Sequence, residues 1–387
     1  MSLKQNFLLR PDITFLNFGS FGACPKPVFE TYQRFQRELE SEPVQFFMFS
    51  GPRYLREARE SLGTYLNASA DDLVFVSNPS YAVNMVAKSL ELAGDDEVLT
   101  TDLEYGACEK AWSFCCKKRG SILRKQRISL PLRSREETVK ELFAGVNGKT
   151  RLIFVSHITS ATALVLPVKE ICAKARSMGI PCFVDGAHAP GQVNVDLGSL
   201  GADYYTGACH KWMMAPKGCA FLHVKRELQN SIDPLVVSWG YESATPSHSR
   251  FLDYHEGQGT RDYSAFISLP ASVEFMKEHN WTEVSRNCRE LVHRNASRFC
   301  ELLNTEPLAP VNDEFIVQML SLRINTPAPE ALQAELFRRF SIEIPVMRHG
   351  DQNFLRYSIN AFNDQADLDR LFGAIETLRK EPALLRP

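Results

Sequence analysis

Up to about residue 260, short apolar runs alternate with longer amphipathic stretches. The runs "DLVFVS" (72–77), "EVLTT" (97–101), "RLIFVSH" (151–157), "IPCFVD" (180–185), "ADYYTG" (202–207) and "GCAFLHV" (218–224) predict strands. They hold too few polar residues for one face to meet water, as in strands covered on both sides. Between them, "SYAVNMVAKSLELA" (80–93), "GACEKAWSFCCKKRG" (106–120) and "PVKEICAKARSMG" (167–179) predict helices. Strands alternating with helices predict an α/β fold on a mostly parallel sheet.

Beyond residue 260 the pattern changes. Helical stretches at 264–279 and 283–303 precede the apolar runs "FIVQMLSLRI" (315–324), "IEIPVM" (342–347) and "FLRYSI" (354–359). With 387 residues the chain is too long for one ordinary core. The division expected is a large domain over 16–260 and a smaller α+β C-terminal domain over 261–387, against which residues 1–15 pack.

In open α/β sheets, ligands sit at the carboxyl ends of the strands. Those ends carry Ser77, Asn78, Asp102, Glu104, Tyr105, His157, Asp185, His188, Gly207 and Lys211, so the candidate chemistry converges on one edge. Neither a G-x-G-x-x-G nor a G-x-x-x-x-G-K-[ST] pattern supports a nucleotide there.

Charge narrows the choice further. Lys and Arg number 44 against 46 Asp and Glu, a net charge of −2, without a basic block. Nucleic acid and anionic membranes are therefore not expected partners. The N-terminal "MSLKQNFLLRPDITF" lacks a signal peptide's apolar core and no run approaches spanning length, so the expected compartment is the cytoplasm. Ten cysteines in such a chain read as reduced thiols. Without paired C-x-x-C spacings or H-E-x-x-H, no metal is expected.

Several residues admit two readings. Lys211 in "GACHKWMMAPKG" (207–218) lies among bulky apolar side chains. It either snorkels to solvent or stays partly desolvated as a nucleophilic amine. Asp185, closing "CFVD", either caps the next helix or holds a pyridinium nitrogen protonated. Ser80 opens a helix as a cap or as part of a phosphate site. Tyr105 is a core aromatic or stacks on a cofactor ring, and His188 and His210 are bonded loop histidines or site groups. Arg356 in "FLRYSINAFN" is an edge arginine or a fork gripping a carboxylate.

Eight segments in order resemble the class V branch of fold-type-I pyridoxal-phosphate enzymes, and most closely its isopenicillin N epimerase-like group. They are "LNFGSFGACP", "SNPSYAVNMV", "DLEYGACEKAW", "SHITSATALVLPV", "VDGAHAPGQ", "GACHKWMMAPKG", "GQGTRD" and "RYSINAFN", spanning residues 16 to about 362. The resemblance implies a large domain with a mostly parallel seven-stranded sheet. Lys211 would hold pyridoxal phosphate as a Schiff base and Asp185 would meet the ring nitrogen. His188, with Ser160 nearby, would meet the phenolic oxygen, and Tyr105 would stack on the ring. Ser80, the Tyr81 N–H and His210 match phosphate-site positions. Thr260 matches a threonine reaching the phosphate across a homodimer interface. Arg356 and Asn17 match substrate-binding positions. Ala208 and Ser160 depart from residues common in related desulfurases, serine and asparagine. No cysteine follows Cys300, which disfavours a persulfide-forming desulfurase.

The resemblance puts an epimerase first, with the Schiff-base lysine removing an α-proton. A C–S lyase acting on a cysteine conjugate is the alternative, then an aminotransferase. A non-catalytic binder is disfavoured because Lys211, Asp185 and Arg356 occur together. The segment "SEPVQFFMFSGPRYLRE" (41–57) is either dimer interface or core, or else a pocket wall; as a wall it predicts a bulky sulfur-containing or peptide-like amino acid.

Overall fold

The structure is a computed structural model and describes residues 3–386. Its strands are β1 (Thr14–Phe15), β2 (Leu73–Val76), β3 (Glu97–Thr101), β4 (Ile122–Gln126), β5 (Thr150–Ser156), β6 (Cys182–Gly186), β7 (Tyr204–Gly207) and β8 (Ala220–Val224). The later ones are β9 (Met319–Ile324), β10 (Ile342–Glu343), β11 (Val346–His349) and β12 (Gln352–Ser358). A seven-stranded sheet runs in the order β2-β8-β7-β6-β5-β3-β4. Only β8 opposes the common direction of that sheet.

The sheet lies between two apolar layers because its strands alternate faces. Leu73, Phe75, Leu99, Ile153, Val155, Val184, Tyr205 and Phe221 join one core. Val74, Val76, Val98, Leu152, Phe154, Phe183, Tyr204 and Leu222 join the other. Each strand thus needs apolar residues at successive positions, which is why they read as continuous runs.

Strand β4 is the seventh, and apolar patterning gives no sign of it. Its "ILRKQ" is largely exposed, and backbone pairing to β3 holds it at the sheet edge. Two expected elements split at proline or beside it. The helix over 264–279 divides into Ser264–Ile267 and Leu269–Glu278 around Ser268 and Pro270, and "IEIPVM" divides into β10 and β11 at Pro345. Of "FIVQMLSLRI" only the second half is strand, β9. Strands β11, β12 and β9 form an antiparallel sheet, and β10 pairs with β1. The N-terminal segment therefore packs beside the C-terminal elements, with the Leu3 N–H also donating to the Ala361 carbonyl. Residues 1, 2 and 387 of the expected domain spans lie outside the described residues.

The chain between β7 and β8 carries Lys211 in a tight turn. The His210 N–H donates to the Cys219 carbonyl, Met214 to Lys211, and Ala215 to Cys209. Two glycines let other segments close on this turn. Gly22 has φ +66°, and a Cβ there would lie 2.3 Å from the His210 carbonyl oxygen. Gly191 has φ +96°, and its Cβ would lie 2.2 Å from the Trp212 oxygen. Gly191→Ala is expected to cost about 1–3 kcal/mol in urea unfolding, whereas Gly148→Ala, whose Cβ meets nothing within 4 Å, stays within about 0.5 kcal/mol.

Candidate active site

The carboxyl ends of β2, β3, β5, β6 and β7 open onto one cavity of ≈ 320 Å³. Lys211, Asp185, His188, Tyr105, Ser80, Ser160 and His210 all line it.

Asp185 stands next to last in β6 and is buried, which pushes its carboxyl above the ordinary range. One oxygen accepts from the Ala187 N–H at 2.9 Å and the other from the Cys108 thiol at 3.4 Å. Among the described residues it forms no ion pair. Lys211 Nζ stands 3.3 Å from His188 Nε2. Burial, helped by the positive field of Arg356, pushes the amine down to about 8. His188 is buried and uncharged, its imidazole held well below the usual range by burial and then by Lys211.

Arg356 comes from β12 of the small sheet. It is 1% exposed and lowered by burial to about 10, so it remains a cation. Nη1 donates to the Ser160 carbonyl at 2.6 Å, Nη2 approaches Ser20 Oγ at 3.4 Å, and Nε has no partner. Gly19 permits this close fit, since a Cβ there would lie 3.1 Å from Nη2.

At the opposite wall the helix Pro79–Ser89 begins. The Tyr81 N–H already donates to Asn78 Oδ1 at 2.9 Å, so Ser80 and the neighbouring first-turn N–H groups are what this end offers an anion. His210 bonds the Cys219 carbonyl through Nδ1, and burial lowers its imidazole to about 4. Tyr105 is 48% exposed at the mouth.

Tyr81 and Arg356 adjoin residues of the cavity without lining it, and two further expected residues lie elsewhere. Asn17 immediately precedes the helix Phe18–Phe21, and its Oδ1 accepts from Ser20 Oγ at 2.5 Å, one step behind the cavity wall. Thr260 is exposed on a separate cleft of ≈ 1100 Å³, with Phe47 and Met48 from the aromatic segment 41–57. Within one chain, therefore, that segment does not wall the Lys211 cavity.

The sequence carries no sign of Cys108, Ser20 and Ser156, and places Glu104 at a strand end without a role. Cys108, Ser20 and Ser156 line the cavity. Glu104 lies behind it, buried, accepting from Thr101 and Ser156 at 2.6 Å each, and is raised by burial to about 7. Position on a strand end marked Glu104; nothing marked Cys108, an ordinary apolar position on the helix Gly106–Arg119.

A nucleophilic lysine, a buried carboxylate lacking a cation and an anion-ready helix end, gathered at one edge of a mostly parallel sheet, define a pyridoxal-phosphate enzyme. The donor set fits that cofactor: Asp185 suits a protonated ring nitrogen and Ser80 a phosphate. Residues 23–371 match the family "Aminotransferase class-V", and the chain belongs to it. It is 34% identical to isopenicillin N epimerase of Amycolatopsis lactamdurans, over 97% of this chain and 98% of that protein. Against the Streptomyces clavuligerus isopenicillin N epimerase the identity is 35%, covering 98% of each. An L-cysteine desulfhydrase of Arabidopsis thaliana is 27% identical, over 95% and 88%. In fold the chain resembles a cysteine desulfurase of Thermococcus onnurineus NA1, with TM-score 0.81, 20% identity and 98% and 97% coverage. It also resembles the cystine C–S lyase C-DES, with TM-score 0.80, 20% identity and 95% and 98% coverage.

An amine titrating near 8 makes a direct expectation. Modification of Lys211 by an aldehyde and borohydride, followed by peptide mass spectrometry in cofactor-free protein, should rise steeply with pH and level off above about 8. A rate still climbing tenfold per unit beyond that would mark an ordinary exposed lysine.

Proposed function

We propose that the chain is an α-proton-abstracting enzyme for amino acids, and that it epimerises a bulky substrate in the manner of the isopenicillin N epimerases. The observation that carries the α-proton chemistry is Lys211, its amine lowered to about 8, lining one cavity with the unpaired carboxylate of Asp185. Similarity to epimerases over essentially the whole chain supports the reaction type.

Pyridoxal phosphate, when bound, supplies an electron sink for the pair left behind as the substrate's Cα–H bond breaks. Asp185 would hold the ring nitrogen protonated, Ser80 and the helix start would receive the phosphate, and Tyr105 would cover the ring. Arg356 grips the substrate's α-carboxylate with the guanidinium protons not given to Ser160 and Ser20. Lys211, as free amine, accepts the α-proton, and Asn17 steadies Ser20 beside Arg356.

A second reading, C–S lyase, is favoured by the same cavity. Lyases need one base and a good leaving group, and Lys211 is the one amine lining the cavity among the described residues. The persulfide-forming alternative is disfavoured because no cysteine follows Cys300 near Arg356.

Holoenzyme incubated with chiral amino acids and cysteine conjugates should lose optical rotation and take solvent deuterium at Cα without releasing pyruvate. Pyruvate would select the lyase, and a keto acid from alanine the aminotransferase. Lys211→Ala is expected to reduce turnover by roughly 10²–10⁴-fold.

We further propose that two copies close over the Thr260 cleft, whose neighbourhood exposes Trp239 at 87%, Val237 at 67% and Met48 at 66%. Sedimentation should give a dimer mass, and Thr260→Ala should weaken cofactor binding although Thr260 lies outside its own chain's Lys211 cavity. A monomer with full cofactor occupancy would refute this.

A further inference from the structure

Directly after Lys211 stands Trp212, wholly buried and in tilted contact with Phe18 at a centroid distance of 5.0 Å. Its indole reaches across the turn to His188, with Nε1 3.3 Å from Nδ1 of the imidazole. An indole N–H can only donate, so Nδ1 of His188 must be the bare, accepting nitrogen. A neutral imidazole carries one proton, which then sits on Nε2. That nitrogen faces Lys211 Nζ at 3.3 Å. The backbone of His188 is held as well, its carbonyl accepting from Gln192 Nε2 at 2.6 Å.

We infer that Trp212 is a positioning residue that locks His188 as the Nε2–H tautomer, so that His188 presents a hydrogen-bond donor to the lysine amine and to whatever oxygen replaces it. This rests on the reading of Lys211 as the working amine. The chemical consequence is specific. A donor at Nε2 meets the lone pair of a neutral amine well and the N–H bonds of an ammonium badly. The pair therefore favours the free base of Lys211. Both ring nitrogens are thereby committed, so His188 donates in this site and is not a general base.

The other charged or titratable groups around the amine are Asp185 on β6, Cys108 on the helix Gly106–Arg119, Arg356 on β12 and His210 in the same turn, with Tyr105 at the mouth. Arg356 pushes Lys211 the same way as the locked imidazole, while Asp185 pulls it back. Removing the lock should tip this balance. In Trp212→Phe the packing on Phe18 is kept but the indole N–H is lost. His188 can then move its proton to Nδ1 and turn a lone pair on Lys211, which stabilises the ammonium and raises the lysine's pKa.

The test uses cofactor-free protein labelled with ¹⁵N in histidine and ¹³C in lysine, so its readout is independent of turnover. His188 is assigned by difference from His188→Gln, and Lys211 from Lys211→Ala. In the wild type, His188 should show a protonated Nε2 and a bare Nδ1 between about pH 6 and 9. Trp212→Phe should populate the Nδ1–H form and raise the Lys211 midpoint by about one unit, cutting the free amine near pH 7 roughly tenfold. The acidic limb of kcat, which reports the lysine once substrate has freed it, should move up with it in the holoenzyme. A wild-type His188 protonated at Nδ1 overturns the inference, and so does a Lys211 midpoint unmoved in Trp212→Phe. Should that variant fail to fold, the wild-type spectrum decides alone. Borohydride reduction of the holoenzyme that fixes cofactor away from Lys211 would instead sink the role given to the lysine, and the two failures are told apart because that result leaves the spectrum unchanged.

Discussion

An amine and a carboxylate enclosed in one cavity will pair unless the surrounding chain prevents it. Here it does prevent it. Asp185 is occupied by the Ala187 N–H and the Cys108 thiol, and Lys211 by His188, so the two charge-bearing groups line one cavity and form no ion pair among the described residues. Each is perturbed by burial in the direction that disfavours its charge. A flat, polar molecule that offers a cation to one group and an electrophile to the other would resolve both. Most other features of the site serve to keep that separation.

The sheet topology is what places the walls. Asp185 lies at the carboxyl end of β6 and Lys211 follows β7, and those strands are parallel neighbours with Asp185 opposite Thr206. In a wholly parallel sheet the chain leaving β7 would need a long crossover. Because β8 runs antiparallel, the twelve residues 208–219 need not cross the sheet and fold back on themselves, bonded at both ends. Lys211 therefore sits on a rigid return rather than on a flexible loop. Arg356 arrives from the opposite side, on a strand of the small sheet, and its bond to the Ser160 carbonyl joins the two layers at the cavity rim. The group proposed to grip the substrate thus doubles as a latch between sheets.

Much of this was legible in the chain. Apolar runs of four to seven residues located β2, β3, β5, β6, β7 and β8, because both faces of those strands are buried. The site residues at the strand ends were legible for the same reason, since the end of each run marks the edge. Strand β4 was not, because a lateral strand is specified by backbone pairing rather than by burial. Nor was Cys108, whose contact to Asp185 joins a helix and a strand 77 positions apart. Trp212 looked like an ordinary core residue beside Lys211, and only the position of its ring relative to His188 gives it a polar task. Thr260 illustrates the converse: its place in the family pattern was plain, yet within one chain it faces another cleft.

The polar character of β4 has a consequence for the molecule in a crowded solution. Arg124 is paired with Glu97 and Lys125 with Glu109, which sets cationic stems along the outermost strand. The opposite margin, β2, is overlaid by Phe251 and Leu252 of the helix Arg250–Glu256. A sheet with free, flat margins is a template on which further sheets polymerise edge to edge. One margin here is charged and the other roofed, so the chain can carry a broad, highly apolar sheet and still resist growing into fibres.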